Sequence, residues 1–255
     1  MRIILVTQDE PFYLAENLDF LFRSLSKDDS IVGVCLATTS PYGKNDYFLK
    51  KVFRTLRIFG LKFFIFYFFQ YLIKIFNKSK NVKATLKKYD IKLIELENSI
   101  NHKKSIYKIS ELRPDLIISV LGSEIFKKEI INLPTLGILN LHSSLLPKYR
   151  GLMPTFWALK NNERYTGVSL FFVDEGIDSG PIIFQKKIEI KGYSHRELIY
   201  LTKKIGMELI ILALNKLNNN EKFDYINNFD NKMTYYSFPN REDVKSFVKS
   251  GKKFF

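Results

Sequence analysis

Four short apolar runs, separated by helical patterns, limit what this chain can fold into more than any other feature. They are RIILVT (Arg2 to Thr7), IVGVCLATT (Ile31 to Thr39), IKLIEL (Ile91 to Leu96) and DLIISVLG (Asp115 to Gly122). Continuous rather than alternating hydrophobicity points to strands covered on both faces. A helix is predicted from Phe12 to Leu25, and further helical patterns fall between the other runs. Strands that alternate with helices imply a parallel sheet with right-handed crossovers. The predicted fold class is therefore α/β: a Rossmann-like open, mostly parallel sheet with helices on both faces. LGILNLH (Leu136 to His142), TGVSLFFV and PIIFQKKIEI add later strands. Ser194 is predicted to cap a helix, with Glu197 three residues on completing a capping box, and that helix runs to about Leu217. Residues 1–217 are expected to form one domain carrying a basic, Phe-rich helical insertion at about 44–88. Residues 218–255 are expected to be a polar, aromatic tail.

The first run is followed by QDEPFYL. It lacks the GxGxxG turn that brings backbone amides and a helix N-terminus onto a dinucleotide. No GxxxxGK[ST] loop occurs either. The layout is Rossmann-like, but the chain is not expected to use NAD.

Hydrophobic residues make up 46% of the 255, enough for a sizeable core. Cys35 is the only cysteine and lies within an apolar run, where a small buried hydrophobe is expected. That excludes a disulfide framework and fits a reducing compartment. MRIILVT has too short an apolar run for a cleavable leader, so a cytoplasmic location is expected. The net charge of +14 is concentrated locally. Between Lys44 and Lys88 stand twelve Lys or Arg and one acid, Asp46, and eight of the 23 Phe fall between Val52 and Phe76. The uninterrupted apolar part, Phe63 to Phe69, is far shorter than the ~20 residues a membrane span needs. Two readings stay open: a helix buried against the sheet or a partner subunit, as in a homodimer, or an interfacial helix at the inner face of a membrane.

Two runs carry chemistry, NLHSSLLPKYRG (Asn140 to Gly151) and TGVSLFFVDEGIDSGPII (Thr166 to Ile183). Residues two apart on a strand share a face, so Asn140 and His142 present an amide and an imidazole side by side. Asp178 arrives from a later loop. Transfer of an acyl group to an amine needs donors for the charge that develops on the carbonyl oxygen. It also needs a group that takes a proton from the amine and returns one to the leaving nitrogen. An amide, an imidazole and a carboxylate meet these needs, although an isolated Asn-x-His pair is most often core. His102 and His195 are expected to be solvated, and no His/Cys/Asp cluster has metal-ligand spacing. Tyr149 and Trp157 follow the motif and either border an acceptor site or pack in the core.

The combination of Asn140, His142, Ser144-Leu145-Leu146-Pro147, Arg150-Gly151, Thr166-Gly167 and Gly176-Ile177-Asp178-Ser179-Gly180 resembles the 10-formyltetrahydrofolate-dependent formyltransferases. This family includes glycinamide ribonucleotide transformylase, methionyl-tRNA formyltransferase and the sugar N-formyltransferases. The likeness is good from about Asp115 to Ile190 and loose over the first strands. It implies that residues 1–217 are a catalytic domain that moves a formyl group from 10-formyltetrahydrofolate to a primary amine, with no metal. Asn140 and His142 would be the oxyanion-binding and proton-handling pair, and Asp178 the carboxylate that tunes His142 and holds a water. Two loops match the walls of the folate pocket: Leu121, Gly122, Ser123, Glu124, Ile125 and Phe126, and then Val173, Asp174, Glu175 and Gly176. Ser144, Leu145, Leu146 and Pro147 would shape the formyl site. Arg150 would fix a loop or touch substrate, as would Tyr149. Phe171 stands where purine-pathway members often carry a histidine, and the glycine-rich phosphate loop is missing. Only 38 residues follow Leu217, too few for the RNA-binding domain of the tRNA enzymes. The preferred acceptor is therefore a nucleotide-linked amino sugar, with initiator methionyl-tRNA as the alternative, its RNA gripped by the basic 44–88 segment. Glycinamide ribonucleotide transfer and a non-catalytic folate-binding role rank below both.

Overall fold

The computed structural model describes residues 1–37, 48–76, 81–122 and 124–255. In chain order the elements are β1 Arg2–Gln8, α1 Leu14–Arg23, β2 Ser30–Ala37, α2 Phe48–Phe59, α3 Leu61–Phe76, α4 Val82–Lys88, β3 Leu93–Ile94, α5 Lys103–Ser110 and β4 Leu116–Val120. They continue with α6 Lys128–Ile131, β5 Ile138–His142, β6 Arg150–Gly151, α7 Pro154–Lys160, β7 Tyr165–Phe172, β8 Ile182–Glu189, α8 His195–Asn218, β9 Tyr235–Tyr236 and α9 Arg241–Lys249. Seven strands form one sheet in the order β3-β2-β1-β4-β5-β7-β8. The β3-β2-β1-β4-β5 part is parallel, and β7 and β8 add antiparallel strands at one edge. The expected α/β fold is thus present, with its strand order reversing between β1 and β4. The strand read at IKLIEL pairs only at Leu93 and Ile94, because it lies at the sheet edge.

β1 shows why the strands are apolar throughout. Ile3 and Leu5 pack with α1, α7 and α8 residues such as Leu18, Phe156 and Ile210. Ile4 and Val6 point the other way, toward Ile109, Ile117 and Ile130 beneath α5 and α6. All four side chains are at most 2% exposed. Each contributes roughly 1.5–3 kcal/mol by leaving water. Cys35 is buried in the second cluster, as read from its surroundings.

Among the described residues the insertion holds α2, α3 and α4, and the Phe-rich pair α2 and α3 meet at Gly60, whose φ of 83° is the left-handed conformation glycine adopts without penalty. Its expected boundary residues 44–47, and residues 77–80, lie outside the described residues. One face is buried within this chain. Phe63 meets Phe254 edge-on at 5.0 Å, Phe66 stacks on Phe255 at 3.8 Å, and the Tyr67 and Tyr13 hydroxyls lie 2.9 Å apart. The opposite face, Leu61, Ile65, Phe68, Phe69 and Ile73, is exposed. Among the described residues no helix is long and apolar enough to cross a membrane.

Two expectations are corrected. The last residues, read as a polar, aromatic tail, carry a helix that packs on the main core. Asn240 and Asp243 form a capping box that opens α9, and Val244, Phe247 and Phe254 enter the main core. Asn-x-x-Asp followed by Val244, Phe247 and Val248 at helical spacing is the signal that identifies this helix in the sequence. His195 is not solvated. The predicted capping box of Ser194 and Glu197 forms, but the returning chain covers the first turn: the His195 N–H donates to the Lys253 carbonyl at 2.8 Å. The imidazole lies edge-on to Phe156 and Phe254. His102 stays exposed, and its ring nitrogen caps α5.

Burial holds the His195 pKa down at about 4, below the 6.5 of a solvated imidazole. The folded state therefore resists protonation that the unfolded chain accepts. The resulting stabilisation is complete above pH 6.5 and is lost as pH falls toward 4. At about 1.4 kcal/mol per unit, the loss is on the order of 3 kcal/mol. In denaturant melts from pH 7 to 4 the wild type should lose about 3 kcal/mol more stability than His195→Leu. Parallel curves would show that His195 does not titrate with unfolding.

Candidate active site

A cleft of about 430 Å³ opens where β1, β4 and β5 end. Its floor and walls include Gln8 from β1, Ser119 to Phe126 in part from β4 and the loop after it, and Asn140 to Ser143 from β5. This is the carboxyl edge of the parallel strands beside the point where strand order reverses, the place such sheets bind ligands. Asn140 pairs in register with Ser119 on one side and Phe171 on the other. The amide side chain of Asn140 has no hydrogen-bond partner among the described residues, so its donors are free to face the cleft.

The three chemistry-bearing side chains do converge. His142 Nδ1 lies 3.6 Å from Asp178 Oδ2. The His142 Nε2–H donates to the Tyr149 carbonyl at 2.8 Å. A carbonyl can only accept, so the proton on Nε2 is committed and Nδ1 is the position that gains and loses one. Asp178 is held by its own backbone and by a neighbour. Its φ is 49°, and Oδ2 accepts from the Gly151 N–H at 2.8 Å. Gly151 has a φ of 93°, and a Cβ there would come within 2.3 Å of the Tyr236 carbonyl oxygen, so only glycine lets the amide reach Asp178.

The remaining matched residues divide. Leu121, Gly122, Glu124, Ile125, Phe126, Val173 and Gly176 line the cleft. Glu124 also accepts from the Ser99 hydroxyl and the Ile100 N–H, tying its loop to the loop before α5. Ser123 lies outside the described residues. Asp174 and Glu175 are exposed beside the cleft, where Asp174 accepts from the Gly176 N–H and the Ser179 hydroxyl. Ser144, Leu145, Leu146 and Pro147 do not line it. They form a turn pinned by Ser169, whose hydroxyl donates to the Ser144 carbonyl at 2.7 Å, and by Gln185, which donates to the Leu146 carbonyl at 3.0 Å. The turn delivers the Tyr149 carbonyl to His142.

Arg150 is buried, and its Nη2 donates to the backbone and side-chain oxygens of Asn228. Asn228 in turn donates to the carbonyls of Asp178 and Gly180. These bonds correspond to the loop-fixing one of its two expected roles. The Tyr149 hydroxyl donates to Glu163, and its ring stacks on Tyr236. Trp157 is buried and donates from Nε1 to the Ser237 carbonyl.

Sequence reading missed Gln8, Met153, Pro154, Lys203, Tyr235 and Phe238 in the cleft wall. For Lys203 a signal existed: it continues the apolar stripe Met207, Ile210, Leu214 of α8 at helical spacing. Its side chain is 6% exposed, and burial lowers its pKa to about 8 against the partial opposition of Glu10. Glu10 accepts from the N–H groups of Phe12, Tyr13 and Leu14 at 2.7, 2.8 and 3.1 Å. Burial raises its own pKa, and these bonds work against that rise.

An open sheet with a cleft of apolar walls and a few polar side chains at its reversal point defines a doubly wound α/β protein. The chain belongs to the formyl transferase family, whose sequence model matches residues 74–214. It is 41% identical over 134 residues to the methionyl-tRNA formyltransferase of Kosmotoga olearia, covering 51% of this chain and 43% of that protein. The match to the Clostridium tetani methionyl-tRNA formyltransferase is 31% over 183 residues, covering 66% and 58%. The matched region thus spans about half the length of these relatives. In fold, the chain is similar to a phosphoribosylglycinamide formyltransferase from Bacillus halodurans, with a TM-score of 0.61, 18% identity and coverage of 85% of this chain and 95% of that one. A sugar N-formyltransferase from a Shewanella species matches with a TM-score of 0.60 and 17% identity, covering 98% and 87%.

Proposed function

We propose that this protein transfers a formyl group from 10-formyltetrahydrofolate to a primary amine. The observation that carries the reading is the convergence of Asn140, His142 Nδ1 and Asp178 on one cleft. The cleft volume lies within the ~300–1,000 Å³ range of ligand pockets. Leu121, Ile125, Phe126, Phe171 and Val173 offer apolar walls to a flat ring, while Ser119 and backbone groups after β4 offer polar edges. When bound, the folate supplies a formyl group activated on nitrogen. Asn140 donates from its amide to the formyl oxygen as that atom gains charge. His142 Nδ1 takes the proton that the attacking amine loses, directly or through a water held by Asp178. The same proton returns from Nδ1 to the departing nitrogen, and the Asp178 carboxylate stabilises the imidazolium between the two steps. Release of tetrahydrofolate in the presence of a panel of amines tests the reading; no release with any amine counts against it.

The acceptor we favour is a nucleotide-linked amino sugar. Phe171 sits beside Asn140 in register where purine-pathway members often have histidine, and Glu10 takes the α1 amides that a glycine-rich loop would offer to a phosphate. Initiator methionyl-tRNA is the second reading, supported by the names and 31–41% identities of the two relatives above. The amine panel separates them: turnover of nucleotide-linked amino sugars alone supports the first, and turnover of methionyl-tRNA alone supports the second.

The exposed stripe Leu61, Ile65, Phe68, Phe69 and Ile73 lies in the most basic segment of the chain. Its apolar face and positive charge suit an anionic lipid surface. Flotation with phosphatidylserine vesicles should carry the wild type up, and Phe68→Asp/Phe69→Asp should stay at the bottom. Absence of flotation together with a concentration-dependent dimer that the same variant abolishes would instead assign the face to a second copy of the chain.

A further inference from the structure

Lys203 has no part in the proton transfers above, and its placement costs free energy. An ammonium removed from water is penalised unless something pairs with it. Lys203 forms no ion pair or hydrogen bond among the described residues, yet its side chain is 6% exposed and lines the cleft. The nearest compensating charge is Glu10, whose carboxylate is already engaged by three backbone amides at the start of α1. Those amides, with the positive end of the α1 dipole, offset much of the Glu10 charge. Lys203 thus lines the cavity with its charge only partly offset.

The cleft around it makes the placement specific. Of the ionisable side chains that line it, Glu124 and Asp178 are acids, His142 is a histidine and Tyr235 a tyrosine, and Lys203 is the sole lysine or arginine among the described residues. Lys203 and Gln8 enter from α8 and the end of β1, on elements other than the loops matched to the folate pocket. The helix N-terminus that would ordinarily serve an anion in this corner is filled by Glu10, which leaves the lysine as the local cation.

We infer that Lys203 is an anion-recognition residue of the cleft, binding an oxyanion carried by a substrate. Burial lowers its basicity, and the Glu10 charge offsets that only in part. The assignment rests on the formyl-transfer reading for the identity of the substrates, and two sources supply the same chemistry: a phosphate on the acceptor, or a glutamyl carboxylate on the folate donor.

Equilibrium binding distinguishes them without turnover. Titration calorimetry on the full chain would use thymidine diphosphate as the phosphate probe and folinic acid as the formyl-folate probe. A charge-assisted hydrogen bond of this kind should make Lys203→Met bind its anion about ten- to a hundredfold more weakly. Lys203→Arg, which keeps the charge, should recover most of that loss. A loss confined to thymidine diphosphate assigns the lysine to the acceptor, and one confined to folinic acid assigns it to the donor. Thermal melts of Lys203→Met and Lys203→Arg run in parallel establish that each variant is folded at the titration temperature, so weakened binding is not attributed to unfolding. Unchanged affinity for both probes in Lys203→Met overturns the inference, as does a loss that arginine does not restore. Failure of the wild type to bind folinic acid counts instead against the formyl-transfer reading.

Discussion

Asp178→Asn should reduce kcat about a thousandfold while leaving donor affinity and thermal stability near wild type. The asparagine side-chain oxygen can still accept from the Gly151 N–H, so the loop geometry that Asp178 anchors is retained. What is lost is the negative charge 3.6 Å from His142 Nδ1. That charge favours the imidazolium, and without it the proton taken from the amine has no stable resting place. General acid–base assistance contributes about 10²–10⁴-fold, and one preorganised electrostatic partner about 10²–10³. Because His142 and Asp178 would act as a unit, His142→Ala/Asp178→Asn should be scarcely slower than His142→Ala alone. Single-turnover rates with folinic acid affinity measured in parallel provide the check. Normal turnover by Asp178→Asn would reduce Asp178 to a support for Gly151.

Phe247→Ala should lower the free energy of unfolding by about 3–5 kcal/mol, the range for removing a large aromatic side chain from a core. Phe247 is 0% exposed, stacks on Phe156 at 4.9 Å and meets Phe254 at 4.6 Å. Phe156 belongs to α7, whose first residue, Pro154, lines the cleft. The C-terminal helix therefore supports the floor on which the site is built. Against a typical total of about 5–15 kcal/mol, such a loss leaves a marginal protein. Urea unfolding measures it. A cost below about 1 kcal/mol, or hydrogen exchange showing that α9 opens independently of the sheet, would mean the helix is only appended to the domain.

The parts of the site legible in the sequence were those in which chemistry and position coincide in one short segment. Asn140 and His142 lie two apart on a strand, so their shared face follows from strand geometry alone. Asp178 required the motif around it, because the sequence shows only that a loop carries it. The SLLP turn was legible as a pattern, while its use was not. Its residues resemble pocket walls, but Ser169 and Gln185, 25 and 39 positions from the atoms they bind, turn them into a prop for the Tyr149 carbonyl. Lys203 was visible as a charge in an apolar stripe, yet nothing local distinguishes a cleft-facing lysine from one that reaches solvent along the helix surface.

By itself the amino-acid sequence determined the α/β class, the strands, the long capped helix and the Asn140–His142 pair of the candidate site, because those depend on periodicity, capping and residues close in the chain. Only the tertiary structure decided that Nδ1 is the His142 nitrogen facing Asp178, that Glu10 fills the helix terminus beside Lys203, and that the final aromatic residues are core. Each of these is set by a contact between segments distant in sequence, where burial and hydrogen-bond partners are supplied by chain the local pattern does not contain.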